Sequence, residues 1–167
     1  MEALGRLFDI SIALAPVDLA TAGMTGKRVS MKHCSGISIV LLYGAGTDGD
    51  DPVPSLQQHT ASSGGTSADL TVLDHLYHKA EATLDGDETW TKATQTNAAI
   101  LTAIADHAQV QKIYVIEVAA EQLDAGYEYI SVNQADLSNN AQLAAAIYIM
   151  HGLAVQRAPA NMAAPLS

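Results

Sequence analysis

Apolar residues recur at alternate positions in several short stretches of the chain, which is the period of a β-strand with one buried face. The segment Gly26–His33 alternates Val29 and Met31 with polar neighbours, and it predicts a half-exposed antiparallel strand. The segment Ile37–Tyr43 is almost continuously aliphatic, and it predicts a strand that is covered on both faces. Because Cys34–Gly36 has the composition of a turn, the two strands are predicted to form a hairpin.

Three further strands follow at short, regular spacing in the second half of the chain. They are predicted at Val110–Val118, Tyr127–Asn133 and Gln142–Met150. Turn-forming residues separate them at Leu123–Gly126 and at Asp136–Asn140. We therefore expect these three strands to form a meander.

Two weaker strand candidates lie earlier in the chain, at Leu7–Leu14 and at Ala68–Leu76. The first is predicted to end before Pro16, because proline has no N–H to donate to a sheet. Short strands and polar turns, without regular alternation of strand and helix, are typical of an all-β sandwich or barrel.

The segment Asn97–Ala108 has two interpretations. Ile100, Leu101 and Ile104 recur at helical spacing, and the segment begins with a residue suited to cap a helix. Ile100, Thr102 and Ile104 also alternate as they would on a strand. The predicted fold is therefore all-β: an antiparallel β-sandwich, jelly-roll-like, with long loops, extended termini and room for one short helix.

Two long loops and a tail complete the predicted organisation. Gly44–Pro54 and Ala61–Ser67 are rich in Gly, Asp, Pro and Ser, and neither can pack a core of its own. The tail from Arg157 onward has no periodicity and contains two prolines. We predict one sandwich domain over residues 1–156 and an extended arm over residues 157–167, either disordered or laid along a neighbouring subunit.

The charge and hydropathy of the chain limit the kinds of partner that it is expected to bind. The 167-residue chain has 18 acidic and 8 basic side chains, so its formal net charge is −10. Proteins that hold nucleic acid by its phosphates need clustered Lys and Arg, so no nucleic acid partner is expected. No apolar run approaches the roughly 18 to 20 residues that cross a bilayer, so no membrane partner is expected either.

The amino-terminal residues and the cysteine content favour synthesis in a reducing cytosol. Glu2 precedes any basic residue and Asp9 interrupts the first apolar stretch, which argues against a secretory signal. Cys34 is the single cysteine, so no internal disulfide can form. We interpret Cys34 as a small buried apolar residue.

One glycine-rich segment, Gly44–Gly49, matches the dinucleotide-binding pattern G-x-G-x-x-G and follows a predicted strand. That pattern binds a pyrophosphate only when its third glycine opens a helix. The next residues, Asp50–Pro54, contain acids and prolines that oppose both a helix and a phosphate. We interpret the segment as a flexible turn, and a small enzyme built on it is the least favoured hypothesis.

No other motif predicts catalysis or metal binding. The acidic segments Asp48–Asp51 and Asp85–Glu88 lack the spacing of an EF-hand loop. His75 and His78 stand three apart without the context of a zinc site, and no G-x-S-x-G motif occurs. We therefore predict no catalytic residue, no metal and no cofactor, and we predict that the protein is not an enzyme.

Aromatic residues and the tail are the candidates for contact with partners. Trp90 lies in an alternating polar and aromatic stretch, where it is either a core residue or an interface anchor. Tyr127 and Tyr129 share one face of their predicted strand, either directed to the surface or at the edge of the core. The remaining interface candidates are Arg157, Pro159 and Pro165 in the tail.

The runs Val110–Val132 and Asn140–Met150 resemble small virion proteins of tailed bacteriophages, the group called head decoration, cement or minor capsid proteins. The upstream segment Gly26–Pro52, with Leu56–Gln58, fits the same pattern, so the likeness covers roughly residues 26–60 and 110–150. The likeness consists of strands, turns and the spacing of small residues, and it includes no catalytic signature. It therefore assigns no functional residue in this chain.

The resemblance implies a non-enzymatic structural protein that is made in the host cytoplasm and lies on the exterior of a phage capsid. Such a protein decorates or cements the head shell by binding the major capsid protein and copies of itself, as a homo-oligomer on the capsid lattice. The terminal segments Met1–Ile10 and Arg157–Ser167 are candidates for contacts with neighbours. The alternative is a carbohydrate-binding or adhesion module on the virion exterior, with Trp90, Tyr127 and Tyr129 as stacking platforms.

Overall fold

The structure, a computed structural model, describes residues 3–137 and 140–165. In these residues the chain forms eleven β-strands and two 3₁₀ turns, Ala120–Gln122 and Pro159–Asn161, and no α-helix. Sheet 1 consists of β1 (Phe8–Asp18), β4 (Gly36–Tyr43), β7 (Leu73–Glu81), β8 (Thr91–Ala98), β9 (Gln111–Ala119) and β11 (Leu143–His151). Sheet 2 consists of β2 (Met24–Thr25), β3 (Val29–Ser30), β5 (Ser55–His59), β6 (Ser67–Asp69) and β10 (Tyr129–Gln134).

The two sheets are antiparallel throughout and pack face to face, which confirms the predicted all-β sandwich. The strand order is β1-β11-β4-β9-β7-β8 in sheet 1 and β2-β10-β5-β6 in sheet 2, with β3 also paired to β10. The chain passes repeatedly from one sheet to the other, except at the β5–β6 and β7–β8 hairpins and in the connections from β2 to β3 and from β8 to β9. This is the strand order of a jelly roll, in which two Greek keys form a double sheet. The β7–β8 hairpin extends sheet 1 beyond β9.

The core lies between the sheets because every second residue of the long strands points inward. From sheet 1 it takes the apolar residues Ile37, Ile39, Leu41, Ile116, Val118, Ala144, Ala146 and Met150, and from sheet 2 Leu56, Ile130 and Val132. Tyr148 joins the two layers at the centre. Its hydroxyl accepts a hydrogen bond from the Val132 N–H at 3.0 Å and donates one to the Lys27 carbonyl at 2.9 Å.

The predicted hairpin and the predicted meander are both wrong. The segment Gly26–His33 contributes β3 to sheet 2, whereas β4 pairs with β11 and β9 in sheet 1. Likewise β10 lies in sheet 2, while β9 and β11 lie in sheet 1. A turn that reverses the chain within a sheet and a turn that carries it across to the other sheet use the same residue types. The local pattern therefore predicts the strands but not their partners.

Three strand boundaries also differ from prediction. The segment Gly26–His33 is not one strand: only Val29–Ser30 forms β3, and before it the Lys27 N–H donates to the Ala13 carbonyl of β1 at 2.9 Å. The first strand continues past Pro16 to Asp18, which an edge strand with two register shifts tolerates. The candidate at Ala68–Leu76 covers the end of β6 and the start of β7.

The segment Asn97–Ala108 is neither the predicted helix nor a continuous strand. Strand β8 ends at Ala98, and residues 99–101 then pair with the start of β5. Leu56 donates to the Ala99 carbonyl at 2.8 Å, and Leu101 donates to the Pro54 carbonyl at 2.9 Å. These hydrogen bonds to sheet 2 override the helical spacing of the apolar residues.

The tail follows the body of its own domain as far as the structure describes it. The Arg157 N–H donates to the Gly5 carbonyl at 2.8 Å, and the Pro165 carbonyl accepts from the Ser30 N–H at 3.0 Å. Parts of two sequence-based predictions lie outside the described residues: Met1, Glu2, Leu166 and Ser167 of the terminal segments, and Ser138 and Asn139 of the predicted turn. Within the described ranges, no helix is long and apolar enough to span a membrane.

Candidate interaction surface

The outward-facing side of sheet 1 is apolar across four neighbouring strands. Cross-strand partners form a row of side chains that runs over the whole sheet. From β1 to β8 the row is Ile12, Ile147, Val40, Val115, Tyr77 and Lys92. The sequence neighbours of these residues, such as Leu41, Tyr114 and Tyr148, point the other way and are buried against sheet 2.

Two further rows flank this one. On one side lie Ile10, Ile149, Ser38 and Glu117, and on the other lie Ala145, Leu42, Ile113 and Lys79. Ile10 is 45%, Ile12 40% and Leu42 44% exposed. Contiguous exposed apolar surfaces of this kind mark sites of contact with another molecule. We call the aliphatic residues of the three rows the outer apolar face: Ile10, Ile12, Val40, Leu42, Ile113, Val115, Ala145, Ile147 and Ile149.

Strand β4 shows why the sequence did not reveal this face. The prediction that Ile37–Tyr43 is covered on both sides is wrong for the described chain, because Leu42 is nearly half exposed. The underlying observation was sound, since the strand is apolar on both sides. A period-two pattern distinguishes the faces of a strand only when one of them is polar.

Aromatic and basic side chains border the outer apolar face on the β7–β8 hairpin. The Lys79 ammonium lies 5.2 Å from the ring centre of Trp90, and the Lys92 ammonium lies 5.7 Å from that of Tyr77. Such cation–π contacts hold the rings in place. Trp90 is 52% exposed, so most of this rigid aromatic surface is available for contact.

The interface residues predicted from the sequence lie in separate places. Trp90 precedes β8 in sheet 1, whereas Tyr129 opens β10 in sheet 2 and Tyr127 lies in the turn before it. Arg157 and Pro165 hold the tail, and Pro159 begins its 3₁₀ turn. Arg157 and Pro165 also line a cavity of about 260 Å³ with Cys34, Met150 and Met162. The structure therefore places only Trp90 beside the outer apolar face.

Comparisons of this chain with protein-family models, with curated proteins and with solved structures give no match.

A second candidate is a cluster of ionisable side chains on the inner side of sheet 1, at the end near the Gly44–Pro54 loop. Lys112 on β9 is fully buried. Its ammonium donates to the carbonyls of His107, Ala108 (3.5 Å) and Val110 (3.0 Å). Burial lowers the pKa of Lys112 to about 8, and the negative charge of Asp51 opposes that shift. All three donors of the ammonium are thus used to fasten the 107–110 segment to β9.

Two histidines and a tyrosine complete this polar cluster. His107 Nδ1 lies 2.7 Å from the Tyr114 hydroxyl, and its ring packs edge-on against that of His78 with centroids 4.7 Å apart. Burial lowers the pKa of both histidines, and the nearby charges of His78 and Lys112 lower that of His107 further. Burial also raises the pKa of the Tyr114 hydroxyl. The cluster is therefore a group of stacked rings around one buried cation, in which His107 and Tyr114 are hydrogen-bonded and His78 Nδ1 is buried without a partner in the described residues.

An acidic group lies beside this cluster at the tip of the β7–β8 hairpin. Carboxylate oxygens of Glu81, Asp85, Asp87 and Glu88 lie within 4.8 Å of one another. The sequence pointed to Asp85–Glu88 as an acidic turn, and folding adds Glu81 to it. Glu88 accepts hydrogen bonds from the backbone N–H groups of Asp85 (2.6 Å) and Gly86 (3.3 Å). These bonds cap the turn, and they account for the position of Glu88 without an ion.

Neither the Gly44–Gly49 segment nor Cys34 lies in surroundings that favour ligand binding or catalysis. After the Gly44–Gly49 segment the chain runs to β5 at Ser55 without an intervening helix, so the helix amino terminus that would bind a pyrophosphate is missing in this described part of the chain. Cys34 is half-buried beside Met31, with its thiol 3.8 Å from the Met31 carbonyl. Burial raises the pKa of the Cys34 thiol, which disfavours the nucleophilic thiolate.

Proposed function

We propose that this protein is a non-enzymatic structural protein of a phage capsid that decorates or cements the head shell. It would bind the major capsid protein and copies of itself. The observation that carries the proposal is the outer apolar face, which crosses four strands of sheet 1 and continues into the exposed Trp90 and Tyr77. A folded domain with such a surface is suited to assembly with other proteins.

The fold and the distribution of charge support the same proposal. Jelly rolls occur in viral capsid proteins, although they also occur in lectins and in enzymes, so the fold supports the proposal only by analogy. The acidic residues are concentrated in loops such as Asp48–Asp51 and Asp85–Glu88, away from the aliphatic rows. A capsid lattice presents many identical positions, so avidity makes even weak individual contacts sufficient.

The test is binding to phage heads that lack the decorating protein. Purified protein should co-sediment with such heads and raise their resistance to heat. The variant Ile10→Lys should bind at least tenfold more weakly, because the new charge weakens the contacts of the outer apolar face, whether these are with the capsid protein or with the neighbouring copies on the head. Ile100→Lys is the matched control, since Ile100 is an isoleucine of similar exposure that pairs with sheet 2. Absence of co-sedimentation by the unmodified protein contradicts the proposal.

The carbohydrate-binding alternative keeps Trp90 as a candidate, but no observation favours it further. Its three stacking residues lie on different sheets, so they offer no common platform for one glycan. A glycan array with Trp90→Ala as the control addresses it directly. A Trp90-dependent glycan signal would favour adhesion over capsid assembly.

A further inference from the structure

We propose that the outer apolar face is a self-association surface, on which a second copy of this chain packs its own outer apolar face. The inference rests on the assembly role proposed above, and it identifies one partner for that role. The resulting dimer would be a sheet-on-sheet contact with two-fold symmetry, in which each copy uses the same residues.

The size of the face matches a modest dimer interface. Four strands at about 4.8 Å spacing give a width of about 19 Å, and a strand as long as β4 at about 3.4 Å per residue gives about 27 Å. The product is about 500 Å² for each copy, or about 1,000 Å² for the pair. This is about the smallest total area expected of a specific protein–protein interface. The bordering side chains of Trp90 and Tyr77 can add to it.

The charge on this face also favours a second copy. The whole chain carries −10, so two copies repel each other over most of their surfaces. The three cross-strand rows contain two lysines, Lys79 and Lys92, and one acid, Glu117, for a formal charge of +1. Contact through these rows keeps the acidic loops of both copies out of the interface. This contact therefore brings little net charge of either copy into the interface.

Rows of branched aliphatic side chains make the outer apolar face suited to pack against a copy of itself. Most of its central side chains are Ile, Val or Leu, and the polar residue among them, Ser38, is small. Rows of branched aliphatic side chains on two sheets interdigitate at about 10 Å separation, as they do inside a sandwich. Lys79 and Lys92 lie on the last two strands, so they can remain solvated at the rim.

Sedimentation equilibrium of the full chain tests the proposal without capsids. The chain mass is 17.5 kDa, and we expect the apparent mass to approach twice that value as concentration rises through the micromolar range. Ile12→Lys and Leu42→Lys should each weaken dimerisation at least tenfold, because symmetry places each new charge in the interface twice. Ile100→Lys should dimerise like the unmodified chain. Thermal unfolding of each variant verifies that it is folded.

Several outcomes overturn the proposal. A chain that stays monomeric at a few hundred micromolar has no such dimer, and a dimer that is insensitive to both face substitutions uses another surface. Capsid binding that is lost in Ile12→Lys, in a chain that is monomeric throughout, assigns the face to the capsid protein instead. Conversely, a face-dependent dimer that does not bind phage heads upholds this inference and contradicts the proposed function.

Discussion

Sheet 1 has unusual residues on both of its sides. The outer side presents aliphatic side chains to solvent. The inner side is mostly apolar core, but it also buries Lys112 and His107 beneath the loops. Both of these side chains have hydrogen-bond partners within the chain, while the neighbouring His78 Nδ1 is buried without one in the described residues. On the outer side, Ile10, Ile12 and Leu42 remain 40 to 45% exposed. We therefore interpret the inner side as mainly structural within one chain, and the outer side as the part that the proposed partner would cover.

The largest expected effect tests the claim that the inner polar cluster is structural. Lys112→Met keeps the length of the side chain but leaves three buried carbonyls without their donor, so we expect a loss of about 3 kcal/mol of unfolding free energy. Urea denaturation measures it. Lys92→Met on the outer side is the control and should change stability by less than about 0.5 kcal/mol. If the two substitutions lowered the free energy of unfolding equally, the inner lysine would be no more structural than the outer one.

The second prediction uses pH to charge the buried histidines. His59, which lies between Ser67 and Ser131 at 2.8 Å from each hydroxyl, has its pKa lowered to about 4 by burial and by the charge of Arg28. The unfolded chain binds this proton near pH 6.5, so stability is complete above that value and is lost as the pH falls toward 4. From pH 7 to pH 5 we expect His59 alone to cost about 2 kcal/mol.

His78 and His107 change stability in the same direction, because their pKa values are also lowered. Chemical denaturation at the two pH values measures the total, and NMR titration of the histidine rings assigns it to individual residues. A His59 ring that titrates near 6.5 in the folded protein would show that its burial does not oppose protonation.

Particular residues show how far the sequence predicts this structure. Ile37–Tyr43 and Val110–Val118 were placed within one residue of the observed strands, because aliphatic and β-branched side chains determine strands locally. Their pairing was not predictable, because pairing depends on which sheet each turn leads to. Ile100 belongs to neither predicted element, since hydrogen bonds around it to the β5 edge decide its conformation.

Of the residues on and around the outer apolar face, the sequence pattern indicates only Trp90, which borders it. Trp90 is a candidate because it is the one tryptophan and lies in an alternating polar and aromatic stretch. The outer apolar face was missed because its members come from four strands that are distant in sequence, and only the register aligns them. Lys112 was likewise unremarkable, because a lysine within an alternating strand resembles a solvent-facing residue.

A smaller effect is expected from the bridge between the sheets. Tyr148→Phe removes the hydroxyl that links Val132 of sheet 2 to the Lys27 carbonyl, while it keeps the buried ring. We expect a loss of about 1 to 2 kcal/mol, since two buried backbone groups lose their partner. Thermal or urea unfolding measures the loss. Tyr77→Phe on the outer side serves as the control and should be close to neutral.

The smallest effect on stability is expected on the outer side. At concentrations where the chain is monomeric, Ile12→Lys should alter the unfolding free energy by no more than about 0.5 kcal/mol, because its side chain is already partly solvated and a lysine can extend into solvent. Ile39→Lys, two strands away in the same sheet but inward-facing, should prevent folding. A large loss in the monomeric Ile12→Lys variant would mean that the chain covers this face itself.

The position of β11 has a consequence for how the molecule forms. Residues 143–151 insert between β1 and β4, so sheet 1 is divided until these residues are available. Before β11 pairs, β4 has one edge unpaired, and β1 has no neighbour in its sheet. Contacts that join distant parts of a chain form slowly, and unpaired aliphatic edges are prone to aggregate. The yield of folded protein is thus expected to depend on how quickly β11 pairs with β1 and β4.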